Sequence, residues 1–386
     1  MQARLTMKAA RLKVVARESD TAGKAEVLRL RAESRHAARA AGLRYVEDRA
    51  PGIRRQRKGT GFSYSDVRGR PVREPATLAR IRALAIPPAW EQVWICPSAQ
   101  GHIQATGRDA RGRKQYRYHA QWSAARDADK HLRICEFARL LPDLRSHVLR
   151  RMKRPGLERE TVLASLLRIV DLTAIRVGHE EYSRANDSFG LTTLRVRHAR
   201  VRGQEVELKF RGKSGVLRHV IFRDARLAKL IAASRALRGK QLFQFLDDAG
   251  VARPVRAEDL NAYLQSLTSA RYSVKDFRTW SATVRAAREL KSIGVATSQR
   301  ASKKLVLEAI RRTAEHLGNT PSVCRKSYIH PGLLDAYMDG ESLPPEPPRG
   351  ATGAAKHELS VLMFLERIIE AKTKRVRSAR TLARAS

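Results

Sequence analysis

Cysteines are few in this sequence, and long apolar runs are absent. The three cysteines, Cys96, Cys135 and Cys324, are odd in number and widely spaced, which fits neither a disulfide framework nor a metal site. We therefore expect a reducing compartment, the cytoplasm. No stretch approaches the roughly 18 uncharged apolar residues of a membrane-spanning helix, and the first residues lack the apolar core and cleavage site of a secretory signal. No membrane partner is expected.

Acidic residues are scarce beside basic ones. The chain has 77 Lys and Arg against 38 Asp and Glu, a formal net charge of +39. Because like charges repel, such a chain is stabilised beside a polyanion, and nucleic acid is the first candidate. Membrane surfaces and acidic proteins remain alternatives, and a high arginine content can also reflect a GC-rich coding genome. The charge alone favours a nucleic-acid partner without identifying it.

Signatures of nucleotide and metal binding are also missing. Gly212-Lys213-Ser214 resembles the end of a phosphate-binding loop, but Glu207 stands where that loop needs its first glycine. The histidines and acidic residues form no His-x-Glu, Asp-x-Asp or Cys-x-x-Cys arrangement in a convincing metal-ligand context. The sequence therefore predicts an activity that requires no nucleotide, metal or other cofactor.

Composition changes along the chain and predicts a mixed α+β protein. Residues 1–40 are basic, rich in Ala and Leu and free of Pro, which indicates a helical or disordered extension. Residues 41–126 contain frequent Gly and Pro and short apolar segments, such as Val93–Ile95 and His102–Thr106. We predict that they form a small sheet-rich lobe.

Helical periodicity dominates residues 127–342, which we predict to form a larger, mainly helical domain. Apolar side chains recur at steps of three and four from Leu163 to Ala174, which predicts a helix that Gly178 terminates. Two strand-like segments flank a glycine-rich tip and predict a β-hairpin that carries Lys213 at its end. Residues 343–386 are predicted to form a Pro-rich linker, an amphipathic helix and a basic tail.

Three segments carry side chains suited to a phosphodiester. In Arg108–His119, basic residues that can hold phosphates alternate with tyrosines that can pack on sugars or bases; a solvated basic loop is the alternative. Arg176 is predicted near the end of an otherwise apolar helix, where a cation that merely complements the helix dipole would look the same. The third segment, Lys275–Trp280, is followed downstream by Tyr328, which by itself would be a packing residue.

Six short motifs follow one another along the chain, and together they carry a family resemblance. They are Gly112-Arg-Lys-Gln-Tyr-Arg-Tyr-His119, Arg176-Val-Gly-His-Glu-Glu-Tyr182, Gly190-Leu-Thr-Thr-Leu194, Gly212-Lys-Ser-Gly215, Lys275-Asp-Phe-Arg-Thr-Trp280 and Ser327-Tyr328. From about Tyr45 to Met338, the chain resembles the small viral and bacterial type IB DNA topoisomerases, of the poxvirus type. The motifs are specific in combination.

The resemblance implies that Tyr328 is the nucleophile of a reaction that cuts one DNA strand, relaxes the supercoil and reseals the break. Arg176 and Arg278 would brace the non-bridging phosphate oxygens, and Lys213 would donate the proton that lets the 5′ hydroxyl leave. The product would be a 3′-phosphotyrosyl enzyme, which stores bond energy, so that resealing needs no ATP.

The resemblance also implies a partner and a use for each lobe. Residues 41–126 would bind double-stranded DNA, and residues 127–342 would form a catalytic domain of the topoisomerase IB and tyrosine recombinase type. The protein would act as a monomer clamped around DNA in the nucleoid. The residues of the first motif expected to contact DNA are Arg113, Lys114, Gln115, Tyr116 and Tyr118.

One position departs from the commonest family pattern. Many relatives carry histidine where this chain has Asn319, nine residues before Tyr328. Asparagine can donate a hydrogen bond but cannot supply a proton, so we assign Asn319 to oxyanion binding only. If proton transfer at this position contributes to the rate, this enzyme is expected to be slower than its histidine-bearing relatives.

Two rival functions account for part of the sequence. A tyrosine recombinase would use the same arginines and tyrosine, but recombinases usually place histidine where Lys275 stands and lack the sheet-rich N-terminal lobe. A non-catalytic DNA-coating protein would explain the net charge and the basic tail. It would not explain the spaced set of Arg176, Lys213, Arg278, Asn319 and Tyr328, and it would form no covalent adduct with DNA.

Overall fold

The computed structural model describes residues 31–386 except residues 182, 184–186, 270, 295, 297, 342–352 and 386. The chain divides into two compact units, Met1–Lys130 and His131–Ser386. Most of the predicted N-terminal extension and most of the predicted Pro-rich linker lie outside the described residues, as does Tyr182 of the second motif. Residues 31–40 are helical.

The first unit is built on one antiparallel sheet of five strands, in the order β2-β1-β3-β4-β5. Its apolar core consists of Ile53, Val93, Ile95 and Ala105 from the sheet and Ile81 from helix α1, Pro75–Ala83. The prediction of a sheet-rich N-terminal lobe is confirmed. The strands are β1 Ile53–Lys58, β2 Gly61–Ser65, β3 Glu91–Ile95, β4 Ile103–Arg108 and β5 Lys114–Tyr118.

The second unit is mainly helical and contains one larger apolar core. Helices α2 to α9 come before the C-terminal helix of this unit, and the first residues of α2 belong to the first unit. They are α2 Ala120–Arg151, α3 Arg159–Thr173, α4 Ala225–Ala236, α5 Ala257–Leu267, α6 Val274–Ile293, α7 Gln299–Leu317, α8 Pro321–Ser327 and α9 Pro331–Met338.

Helix α3 is buried on nearly every side, as its mostly apolar sequence requires. The prediction that Gly178 terminates it is wrong, because the helix ends at Thr173 and Ala174 is its C-terminal cap. Ala174 has φ 49°, in the left-handed region that usually selects glycine. Its carbonyl oxygen accepts a hydrogen bond from Arg278, and this contact helps to hold the strained cap in place.

The predicted β-hairpin is present. Strands β7, Glu205–Arg211, and β8, Leu217–Arg223, pair antiparallel, and β6, Ala199–Arg202, adds a third strand beside β7. The tip is a short 3-10 turn, Lys213–Gly215, closed by a hydrogen bond from the Gly212 amide to the Val216 carbonyl at 2.8 Å. A second, two-stranded sheet joins β9, Gln244–Leu246, and β10, Ala252–Pro254.

A long C-terminal helix, α10, spans Gly353–Ala385 and takes in both the predicted amphipathic helix and the predicted basic tail. Its apolar side packs against α6 and α9 through buried side chains. Among the helices that the structure describes, none is both long and apolar enough to cross a membrane. The buried side chains are those of Val361, Leu362, Phe364, Leu365 and Ile368.

Candidate active site

The first turn of α6 places Arg278. Asp276 accepts a hydrogen bond from the Ser273 amide at 2.8 Å, which caps the N-terminus of the helix. The Asp276 carboxylate also forms a salt bridge with Arg133, with 3.1 Å between Oδ1 and Nη2. The two contacts fix the start of α6, and Arg278 follows as a buried guanidinium that is only 4% exposed.

Three consecutive carbonyl oxygens at the C-terminal end of α7 each accept a hydrogen bond from a different arginine. The last carbonyls of a helix lack partners within it and carry partial negative charge, so this end attracts cations. None of the three arginines forms a salt bridge with an acidic side chain in the described part of the chain, so their positive charge is not neutralised. The pairs are Arg218 to His316 at 3.0 Å, Arg278 to Leu317 at 3.1 Å and Arg176 to Gly318 at 3.3 Å.

Arg176 also donates a hydrogen bond to the side-chain oxygen of Asn319. The opposite atom of that amide, Nδ2, is buried and has no acceptor among the residues described, and the same is true of Nε of Arg278. A buried donor without a partner costs free energy. The cluster therefore presents two unused hydrogen-bond donors beside uncompensated positive charge, which suits an anion with several oxygens.

The segment that carries Arg176 is held by the third motif. The amide of Leu191 donates to the Arg176 carbonyl at 2.8 Å, and that of Thr192 donates to Val177 at 2.8 Å. Gly178 has φ 97°, and a Cβ there would lie 2.8 Å from Cα of Gly190. The second and third motifs therefore form one close-packed unit in which both glycines are required.

Tyr328 lies directly after α8, with its amide bonded to the Cys324 carbonyl at 3.0 Å. The Thr283 hydroxyl of α6 lies 3.2 Å from the Tyr328 carbonyl oxygen. The side chain is 8% exposed, and the Arg278 guanidinium lies 5.1 Å from its ring centroid. Helix α6 thus contacts both the backbone and the ring of this tyrosine.

Opposing influences act on the Tyr328 phenol. Burial raises its pKa, but the charge of Arg278, a hydrogen bond from Arg278 and the charges of Arg176 and Lys275 together outweigh burial, so the pKa lies below its ordinary value. Burial and the nearby Arg176 lower the pKa of Arg278 to about 10. Arg278 therefore stays protonated at neutral pH, and the site favours a phenolate.

Four of the five predicted catalytic residues gather here: Arg176, Arg278, Asn319 and Tyr328. Lys213 is exposed at the hairpin tip, and its ammonium makes no hydrogen bond or salt bridge with residues that the structure describes. Sequence reasoning missed Arg218. It lies five residues after Lys213 in a strand, where nothing in the local pattern marks it as different from the other basic residues.

The predicted DNA-contacting residues lie on and beside β5, an edge strand of the first unit. Tyr116 and Tyr118 are 41% and 45% exposed, and their rings stack at a centroid distance of 5.7 Å. Exposed and partly buried residues alternate along β5, so Lys114 is exposed on the same side as the two tyrosines. Its ammonium lies 2.5 Å from the Asp48 carboxylate. The remaining two predicted residues are tied to Asp109: Arg113 at 2.6 Å and Gln115 at 3.0 Å.

A buried tyrosine among arginines that have no acidic partner in the described part of the chain is the arrangement expected of an enzyme that forms a covalent bond with a phosphodiester. Comparison with known proteins identifies the family. Residues 119–340 match the model of the eukaryotic DNA topoisomerase I catalytic core, and residues 61–109 match that of the bacterial DNA topoisomerase IB N-terminal domain. The chain belongs to the type IB DNA topoisomerase family.

Individual relatives agree with this assignment. The chain is 31% identical over 295 residues to DNA topoisomerase 1B of Acanthamoeba polyphaga mimivirus, covering 75% of this chain and 88% of the relative. It is 25% identical over 258 residues to DNA topoisomerase 1B of Vaccinia virus (strain Copenhagen), covering 65% of this chain and 76% of the relative. The family resemblance predicted from the motifs is confirmed.

Proposed function

We propose that this type IB topoisomerase relaxes supercoiled double-stranded DNA by cutting one strand through a covalent bond to Tyr328 and then resealing it. The observation that carries the proposal is the position of a buried tyrosine, with a lowered pKa, beside arginines that pair with no acidic side chain among the residues described. In the cleavage step the Tyr328 oxygen attacks phosphorus, and its proton passes to solvent. A 3′-phosphotyrosyl bond forms.

Arg176, Arg278 and Asn319 stabilise the charge that grows on the phosphate. The unpartnered donors of the site, Nε of Arg278 and Nδ2 of Asn319, would bond the non-bridging oxygens. The two arginines are already held by carbonyls at the end of α7 and by Ala174, and Arg176 holds the Asn319 side chain. Little reorganisation is therefore needed when the charge develops. Asn319 has no proton to transfer, so its contribution is limited to hydrogen bonding.

Lys213 is the general acid. As the phosphorus–O5′ bond breaks, its electron pair goes to O5′, which takes a proton from the Lys213 ammonium. Strand rotation follows, and the 5′ hydroxyl then attacks the phosphotyrosyl bond and releases Tyr328. The bond energy is conserved in the intermediate, so resealing requires no ATP. The arginines stabilise the charge and Lys213 supplies the proton, so the cycle requires no metal ion.

The two units divide the work. Residues 41–126 form the N-terminal DNA-binding domain, in which the exposed face formed by Lys114, Tyr116 and Tyr118 contacts the duplex. Residues 127–342 form a catalytic domain of the type shared with tyrosine recombinases. Of the rivals, the recombinase and the non-catalytic DNA-coating protein, neither is favoured by the family matches to a topoisomerase core and a topoisomerase N-terminal domain.

The test is to trap the intermediate on a substrate that loses its downstream strand after cleavage. The native protein should become covalently attached to the 3′ end of the cut strand, and the peptide that carries the nucleotide should contain Tyr328. Attachment to the 5′ end, or to another residue, would overturn the mechanism. A protein that binds this DNA without any adduct would favour the DNA-coating alternative.

A further inference from the structure

Arg218, on β8 just after the hairpin tip, contacts both that tip and the end of α7. Its Cγ lies 3.1 Å from the place that a Cβ on Gly212 would take, so the side chain runs across the backbone next to Lys213. Its Nη2 donates to the His316 carbonyl at 3.0 Å. Its Cδ lies 2.9 Å from the place that a Cβ on Gly318 would take.

Gly318 is suited to this contact. It caps α7 in the left-handed conformation, with φ 62°, and the absence of a side chain lets the Arg218 guanidinium lie against its backbone. The next residue is Asn319, which Arg176 holds. A single side chain therefore joins the backbone before Lys213 to the backbone before Asn319, although the two segments are about 100 residues apart in sequence.

A charged side chain is unfavourable at this position unless it has a role. Burial and the charge of Arg176 both act to lower the pKa of Arg218, and no carboxylate among the described residues pairs with it. An apolar side chain in place of Arg218 would avoid the repulsion between its guanidinium and that of Arg176. A local conflict of this kind is expected at a functional site.

We propose that Arg218 is a positioning residue for Lys213. It holds the hairpin tip on the C-terminal end of α7, so that the Lys213 ammonium is presented to the departing 5′ oxygen. The inference rests on the general-acid role proposed above for Lys213. Arg218 itself transfers no proton, and its effect on cleavage passes through the position of Lys213.

A substrate with sulfur in place of the bridging 5′ oxygen isolates this role, because sulfur leaves as a stable thiolate and needs no proton. We expect Arg218→Ala to slow single-turnover cleavage of the oxygen substrate by about 100-fold, the scale of a misplacement of about 1 Å. Cleavage of the sulfur substrate should stay close to the native rate. Lys213→Ala should show the same pattern with a larger loss, on the order of 10² to 10⁴.

Two controls complete the design. Arg223→Ala removes an exposed arginine from the far end of the same strand and should change neither rate. The double variant Lys213→Ala, Arg218→Ala should cleave the oxygen substrate no more slowly than Lys213→Ala alone, because the two residues act in one step. An additional loss in the double variant would contradict the proposal.

The outcomes separate this inference from the function on which it rests. If Lys213→Ala is equally slow on both substrates, the general-acid role is wrong. If Lys213→Ala recovers on sulfur while Arg218→Ala stays slow, the positioning role alone is overturned, and Arg218 acts on the phosphate or on folding. Arg218→Gln keeps the aliphatic chain beside Gly212, but its shorter side chain loses the bond that Nη2 donates to His316, so it gives the same readout if Arg218→Ala does not fold.

Discussion

The guanidinium of Arg278 is buried and has little access to water. An isolated charge in such surroundings costs several kcal/mol, and carbonyl acceptors at Ala174 and Leu317 offset part of that cost. Its Nε remains without an acceptor among the described residues. A phosphate oxygen would complete its hydrogen bonding, so the residue is destabilising alone and stabilising when the substrate is bound.

The charges around Tyr328 predict a pH dependence. Positive charge at Lys275, 5.9 Å from the Tyr328 ring centroid, is among the influences that hold the phenol pKa below its ordinary value against the effect of burial. Lys275→Met removes this charge, so the pKa of Tyr328 should rise, and the rising limb of the cleavage rate against pH should move to higher pH. Lys303→Met, an exposed change on α7, should leave the profile in place. An unmoved limb for Lys275→Met would contradict this account of the phenol.

Gly178 gives a prediction about the segment that carries Arg176. Gly178→Ala combines positive φ with a clash against Gly190, whereas Gly156→Ala, at φ 91° with open space around it, has the conformational cost alone. We expect Gly156→Ala to lower the free energy of unfolding by about 1 kcal/mol and Gly178→Ala to lower it by more, with slower cleavage as well. Denaturant unfolding and single-turnover cleavage measure both. Equal effects of the two changes would show that the contact between Gly178 and Gly190 is not required.

Helix α10 is connected to the catalytic helices through Glu358. This carboxylate accepts a hydrogen bond from Trp280 of α6 at 3.2 Å and from Arg145 of α2 at 2.8 Å. Arg145 also binds Asp171 at 2.8 Å. Because Trp280 lies two residues after Arg278, these contacts connect the C-terminal helix to the element that places Arg278.

Two arginines of α2 test how much these contacts stabilise the fold. Arg145 pairs with Asp171 and Glu358, and the three side chains are 25%, 9% and 22% exposed in that order. Arg139 pairs with Glu366, and the Arg139 side chain is 62% exposed. We expect Arg145→Ala to cost up to about 3 kcal/mol, because, among the described residues, it leaves Asp171 with Arg168 as its one remaining arginine and Glu358 with the Trp280 indole alone. Arg139→Ala should cost less than about 1 kcal/mol. Thermal and urea unfolding of both variants measure this. Similar losses would mean that burial does not set the strength of these pairs.

Elements with strong local patterns could be predicted from the sequence, because short-range periodicity and turn residues decide them. Strands β3 and β4 and the hairpin of β7 and β8 are examples. The end of α3 could not be predicted, since a distant hydrogen bond from Arg278 holds Ala174 in a conformation that local preference assigns to glycine. Arg218 was missed for the same reason: its role depends on Gly318, far away in sequence, and not on its neighbours.

At the scale of the whole molecule, the net charge of +39 is arranged in at least two ways. The three arginines at the end of α7 are held in fixed positions by the carbonyl groups there. Residues 371–386 hold six basic residues and no acidic one. Up to Ala385 they belong to α10, which begins after the matched catalytic core ends. The arginines at the end of α7 require a fixed geometry. The basic residues of 371–386 do not, because contacts with the DNA backbone in general do not depend on sequence.

Deleting residues 371–386 tests whether the basic residues at the end of the chain contribute to DNA binding. Among the described side chains of α10, the buried apolar ones, from Val361 to Ile368, precede the deletion, so the fold should persist. We expect the slope of log K against log salt for DNA binding to become shallower, by at most about five for six lost phosphate contacts. An unchanged slope would show that this end of α10 does not contact DNA.

The central claim is that Tyr328 performs strand cleavage without a cofactor, and relaxation of supercoiled plasmid in EDTA without ATP tests it most directly. Tyr328→Phe removes only the phenolic oxygen. Tyr337→Phe is the matched control, since Tyr337 is also buried and its hydroxyl bonds the Gly294 carbonyl at 2.7 Å. The native protein and Tyr337→Phe should relax the plasmid, and Tyr328→Phe should bind it and leave it supercoiled. Relaxation by Tyr328→Phe, or none by the native protein, would contradict the account.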